Sequence, residues 1–174
     1  MYQRYLIVLT TAAALTLAVA APALADDTTA TVTVTGGVLE INAPSAAGSL
    51  GSRANTVLGV VISGPMGEVQ VTDARGAAAG SGWVASAIST AFTPASGPAI
   101  AASRVGYTAG TTVKVGTATF TADNPTNLTG VAPVVTATGI TGDNSATWTP
   151  MINVTLPGGL AAGTYAATIT HSVV

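Results

Sequence analysis

An antiparallel β-sandwich is the fold class this sequence predicts, and three observations predict it. Short stretches alternate with a period of two, as in Thr31-Val32-Thr33-Val34-Thr35 and Glu68-Val69-Gln70-Val71-Thr72; a pleated strand sends successive side chains to opposite faces. Turn-forming clusters such as Gly36-Gly37, Gly64-Pro65 and Asp123-Asn124-Pro125 separate these stretches. No window past residue 26 sets apolar residues at helical spacing, and a chain so rich in Thr, Val and Gly disfavours helix. About ten short strands joined by Gly, Pro and Asn turns make an all-β, Greek-key-like sandwich.

Taken in order, Thr31–Thr35 is the first strand and stops at Gly36-Gly37, and Val38–Ile41 resumes until Asn42-Ala43-Pro44. Ser45–Asn55 is small and polar, a loop, and Thr56–Ser63 is a β-branched run closed by Gly64-Pro65. Glu68–Thr72 and Gly82–Phe92 both alternate, so the Gly-rich stretch between them reads as the connection of a hairpin, with Gly76–Gly82 at its tip. Further strands are expected at Ile100–Tyr107, Thr111–Thr121, Val131–Thr138, Ala146–Leu156 and Thr164–Val174. Pro133 and Pro150 fall inside two of them and point to edges or bulges, because proline donates nothing to a ladder. The expected core is Trp83, Ile88, Phe92, Phe120, Trp148, Ile152, Val154, Tyr165 and Ile169.

The amino terminus has the order of an export signal. Arg4 is followed by the apolar run Leu6–Val19 and the small-residue site Ala23-Leu24-Ala25. Residues 1–25 are therefore expected to form a helical signal peptide cleaved before Asp26, leaving 26–174 as a single domain. A membrane anchor needs about 20 uninterrupted apolar residues, and Thr10, Thr11, Thr16 and Pro22 interrupt this one. Residues 26–174 hold 149 residues, enough for one core. They keep four basic and seven acidic side chains, which lacks the basic footprint of a nucleic-acid binder or of an anionic-membrane ligand. Cysteine is absent, so the fold rests on burial alone.

Residues able to do chemistry are scarce. His171 is the only histidine; as a general base it would need a serine and an acid beside it, and the alternative is a packed or half-exposed strand histidine. No metal set is legible around it, and no cofactor is implied. The nearest echo of a nucleophile elbow, Ala47-Gly48-Ser49-Leu50-Gly51, lacks the pattern and its flanking strand and helix. Asp123-Asn124 and Asp143-Asn144 offer oxygens to calcium, but Asx turns account for both. Asp73 and Arg75 flank the expected hairpin turn, where an ion pair would shape it. Glu40 and Glu68 are the carboxylates left for acid–base work on a polysaccharide, and nothing in their spacing brings them together. The expectation is a protein without catalysis.

Several segments resemble the WxL domain of Gram-positive cell-surface proteins. They are Val69-Gln70-Val71-Thr72-Asp73-Ala74-Arg75-Gly76, Gly82-Trp83, Ala146-Thr147-Trp148-Thr149-Pro150, Asn153-Val154-Thr155-Leu156-Pro157 and Ala162–Thr170. The likeness spans about Ala30–Val174. The first Trp-x-Leu position reads Trp83-Val84-Ala85, keeping the tryptophan, and the second falls at His171-Ser172-Val173, where histidine replaces it. The resemblance implies an exported β module held non-covalently on the cell wall, with peptidoglycan as its polymer and Trp83 and His171 as the ligand-binding positions carried over. Core packing is the other reading of both residues. The alternative function is a structural or adhesive surface subunit whose end strand, Ala30–Thr35 or Thr164–Val174, pairs with the sheet edge of a neighbouring copy.

Overall fold

The computed structural model describes residues 29–174; the expected signal helix over residues 1–25 lies outside the described residues. Ten strands follow in order: β1 (Leu39–Asn42), β2 (Val60–Pro65), β3 (Val69–Ser89), β4 (Thr93–Pro94), β5 (Val105–Thr108), β6 (Val113–Ala122), β7 (Ala132–Trp148), β8 (Met151–Leu156), β9 (Tyr165–Ala166) and β10 (Ile169–Val173). One 3-10 turn, Ala102–Arg104, precedes β5, and the described residues contain no α-helix.

All pairings are antiparallel, and the fold is an antiparallel β-sandwich. The larger sheet runs β1-β3-β7-β6, with β10 on the same edge of β3 as β1. There β1 covers Gln70–Asp73 and β10 covers Ala85–Ser89. The second sheet is β2-β8-β5, and β4 with β9 forms a short ribbon. Trp83, Trp148, Tyr107, Ile100, Leu128, Ile140 and Ile152 fill the core between the layers. Of the expected core, Phe92, Phe120 and Val154 are buried as well, while Tyr165 and Ile169 pack half-buried against it.

The expected hairpin over Glu68–Phe92 is corrected: β3 is one strand of 21 residues. Its Gly-rich middle is not a tip but a series of bulges, with register shifts against β7 after Asp73, Ala77 and Ser81. Gly76 and Gly80, at φ 62° and 89°, supply the left-handed backbone that lets the strand kink and continue. The segment expected to be a loop around Asp143-Asn144 lies within β7 for the same reason, since β7 runs unbroken opposite β3.

Pro133 sits at a bulge of β7, where Ala85 and Ser86 face Val135 and Pro133, and Pro150 falls in the turn before β8. Thr31–Thr35, expected as a strand, joins no ladder. The first regular pairing begins at Gly37, whose N–H donates to the Ala74 carbonyl, as β1 approaches β3.

Candidate functional site

Two largely buried polar chains run through the fold, one within the larger sheet and one between the two sheets, and each contains one of the expected site residues. In the first, Trp83 on β3 donates its indole N–H to Asn144 Oδ1 at 2.9 Å. Asn144 Nδ2 donates to Asp73 Oδ2 at 3.2 Å. Arg75 grips the same carboxylate with two bonds, Nε to Oδ1 at 2.8 Å and Nη2 to Oδ2 at 2.9 Å. The fork geometry of guanidinium matches a carboxylate, which makes such pairs strong and directional. Arg75 holds the Asp73 carboxyl below its ordinary value, against the opposing effect of burial, and Asn144 adds to the lowering.

The sequence placed Asp73 and Arg75 at an exposed turn; the carboxylate is in fact fully buried and the guanidinium 38% exposed. The bulge after Asp73 explains this. It turns Arg75 back over Asp73 while Gly76 donates its N–H to Asp143 Oδ1 at 2.9 Å. Asp143 thus closes a bulge across two strands, and Asn144 belongs to the buried chain.

In the second, Trp148 on β7 donates its indole N–H to the Tyr107 hydroxyl on β5 at 2.8 Å, joining the two sheets. His171 Nε2 on β10 lies 3.3 Å from the same oxygen. Because that oxygen accepts from Trp148, its own proton is free for His171 Nε2, which suits the neutral imidazole. Burial pushes the Tyr107 hydroxyl well up and the His171 imidazole down, so both stay uncharged at neutral pH.

Trp83 is 2% exposed and its ring packs against Phe120 at 5.7 Å between centroids. It therefore presents no open face for stacking a ligand. His171 is half-buried on the inward face of β10 together with Ile169 and Val173. Among the described residues neither serine nor acid bonds to His171; its partner is a phenol. Glu40 and Glu68 are both exposed, on β1 and just before β3. Among the described residues no three His, Cys, Asp or Glu side chains come together as a metal set.

Open surface of the right shape lies elsewhere, in a groove of about 1000 Å³ between the 44–55 loop and the segment Leu160–Ile169. Its floor is apolar, with Met66, Phe92, Ile100 and Val154, and its walls are mostly Ala, Ser, Gly and Thr. The loop is held over the floor at two points. Asn55 Nδ2 donates to the Leu160 carbonyl. Leu50 backbone lies so close to Gly64 of β2 that any side chain there would collide with it. Tyr165 lines the groove and donates its hydroxyl to the Ala161 carbonyl at 2.9 Å, and among the described residues Arg53 is the one cation in the lining.

Among the described residues no aspartate, glutamate or histidine lines the groove. Sequence analysis reads Ser45–Asn55 as a small, polar loop with only an echo of a nucleophile elbow at Ala47–Gly51; the approach of Leu50 to Gly64 is set by tertiary packing and leaves no local sign. His171 stands two residues beyond groove-lining Ile169 on the same face of β10. Comparison of the chain with models of known protein families, with curated proteins and with solved structures finds no match.

Proposed function

We propose that this is an exported cell-surface module that attaches to the cell wall without covalent linkage, taking a peptidoglycan strand in the groove between the 44–55 loop and Leu160–Ile169. The groove carries the reading: its volume of about 1000 Å³ suits an extended polymer, and its lining binds without an acid–base pair to cut it. Tyr165 offers an aromatic surface for a sugar ring, and Arg53 a cation for a stem-peptide carboxylate. The export-type order of residues 1–25 supports a surface location. The likeness to the WxL domain supports the polymer, and residues that carry it, Asp73, Arg75 and Trp83, meet in one buried network.

Retention on purified cell walls tests the proposal. The protein is expected to sediment with walls at physiological salt, and Tyr165→Ala with Arg53→Ala is expected to release it while leaving the folded spectrum unchanged. Recovery of the unaltered protein wholly in the supernatant would overturn it.

A further inference from the structure

We propose that Thr31–Thr35 is a donor strand that adds to the free edge of β6 in a second copy of the chain. This goes beyond wall attachment and rests on separate residues. The donor is a strand sequence without a strand: Val32 and Val34 are 91% and 89% exposed, and Thr31–Thr35 takes part in no ladder. Alternating threonine and valine has high β-propensity, and two valines left in water forgo the burial such residues favour.

The acceptor has the complementary defect. Among the described residues β6 is the outermost strand of the larger sheet and the longest free edge in it, ten residues bonded on one side to β7. Its start, Thr112-Val113-Lys114-Val115-Gly116, repeats the pattern of the donor, and Val113 and Val115 are 67% and 64% exposed. Such an edge is a template for another strand. The edges of the second sheet are met by other backbone, Leu50 at Gly64 of β2 and the Pro125 carbonyl accepting from the Tyr107 N–H on β5, and the other edge strands of the larger sheet, β1 and β10, are only four and five residues long. Of the two end segments that could have served as donors, residues 165–166 and 169–173 already pair with β4 and β3.

An antiparallel register sets Val34 beside Val113 and Val32 beside Val115. It would extend two rows already present on the outer face, Gln70–Thr147–Val113 and Thr72–Ser145–Val115. Each new cross-strand valine pair adds contact on that face. The donor belongs to another copy because of reach. Gly37 is fixed at Ala74 on the opposite edge of the sheet. Val34, three residues away, can extend about 10 Å from it, whereas a position outside β6 is four strand spacings off, about 19 Å. With donor and acceptor on opposite edges the contact is head-to-tail, so it propagates into a ring or an open chain of copies.

The cysteine-free sequence permits a direct test. Single variants Val32→Cys and Val115→Cys are mixed and gently oxidised, as are Val34→Cys and Val113→Cys, with Val32→Cys against Val61→Cys as the control on an exposed β2 position. Disulfide-linked dimers in the two matched mixtures and not in the control are expected. Unaltered protein should gain mass with concentration in sedimentation, and Val113→Lys with Val115→Lys should abolish that gain while wall retention persists. All these sites are exposed, so the fold is undisturbed. A monomer at every concentration, or linkage to residue 61 equal to that of the matched mixtures, overturns the proposal.

Discussion

Trp148 and Tyr107 meet across the two sheets, indole N–H to phenol oxygen at 2.8 Å, with no solvent at either group. The bond is a polar fastening between the two sheets. Tyr107→Phe removes the acceptor and leaves the indole N–H buried without a partner. A loss of about 1–3 kcal/mol is expected, read by chemical denaturation. Trp148→Ala, which also empties the core, should cost about 3–5 kcal/mol.

The third member of that chain makes stability depend on pH. Burial holds the folded-state His171 below its ordinary value of 6.5, so below about pH 6.5 the unfolded chain binds the extra proton and the folded chain resists it. Stability is therefore constant above that pH and falls as pH drops from there towards the lower folded value, by at most about 1.4 kcal/mol per pH unit. Replacement by an uncharged side chain, His171→Gln, should flatten the profile between pH 5 and 7 in urea titrations at fixed temperature.

Asp73 acts in a separate, more acid window. Its folded value is lowered from 3.8 by Arg75, so the stability it contributes is complete above about pH 4 and is lost as pH falls through the folded value. Arg75→Ala leaves the buried carboxylate with Asn144 alone among its side-chain partners. It should destabilise by about 1–3 kcal/mol and shift acid unfolding to higher pH, measured by tryptophan fluorescence, since Trp83 is joined to the same chain through Asn144.

Gly64→Ala tests how the groove is built. A Cβ there would collide with Leu50 backbone, so the 44–55 loop must lift. The expected cost is about 1–3 kcal/mol, and protease cleavage within Ser45–Asn55 should accelerate severalfold, with wall retention reduced in parallel.

The fold class and most strands were legible because alternation and turn residues are local signals. Val38–Ile41 and Thr111–Thr121 lie close to β1 and β6, whereas Ala146–Leu156 joins the end of β7 to β8 and Thr164–Val174 covers both β9 and β10. What failed was the same local logic applied to glycine. Gly76 and Gly80 look identical in sequence whether they turn a chain back or bulge it forward, and the difference was decided by β7, about sixty residues away, lying alongside without a break. Burial of Asp73 followed from that bulge and could not be seen from its neighbours. Trp83 and Trp148 were both correctly expected inside, yet their partners Asn144 and Tyr107 were not, since pairing across 61 and 41 positions leaves no periodic trace. Thr31–Thr35 is the converse case: its pattern asks for a ladder that its own sheet does not supply.

One more consequence follows from the long central strand. One end of β3, already paired with β7, gains its second neighbour only when Ile169–Val173, some eighty positions downstream of Ser89, is in place. Assembly must wait for closure of a large loop, and topologies ruled by such distant pairings settle in milliseconds to seconds rather than microseconds. A polypeptide that is slow to commit leaves its strand edges open to other chains and to proteases for longer before its final shape sets.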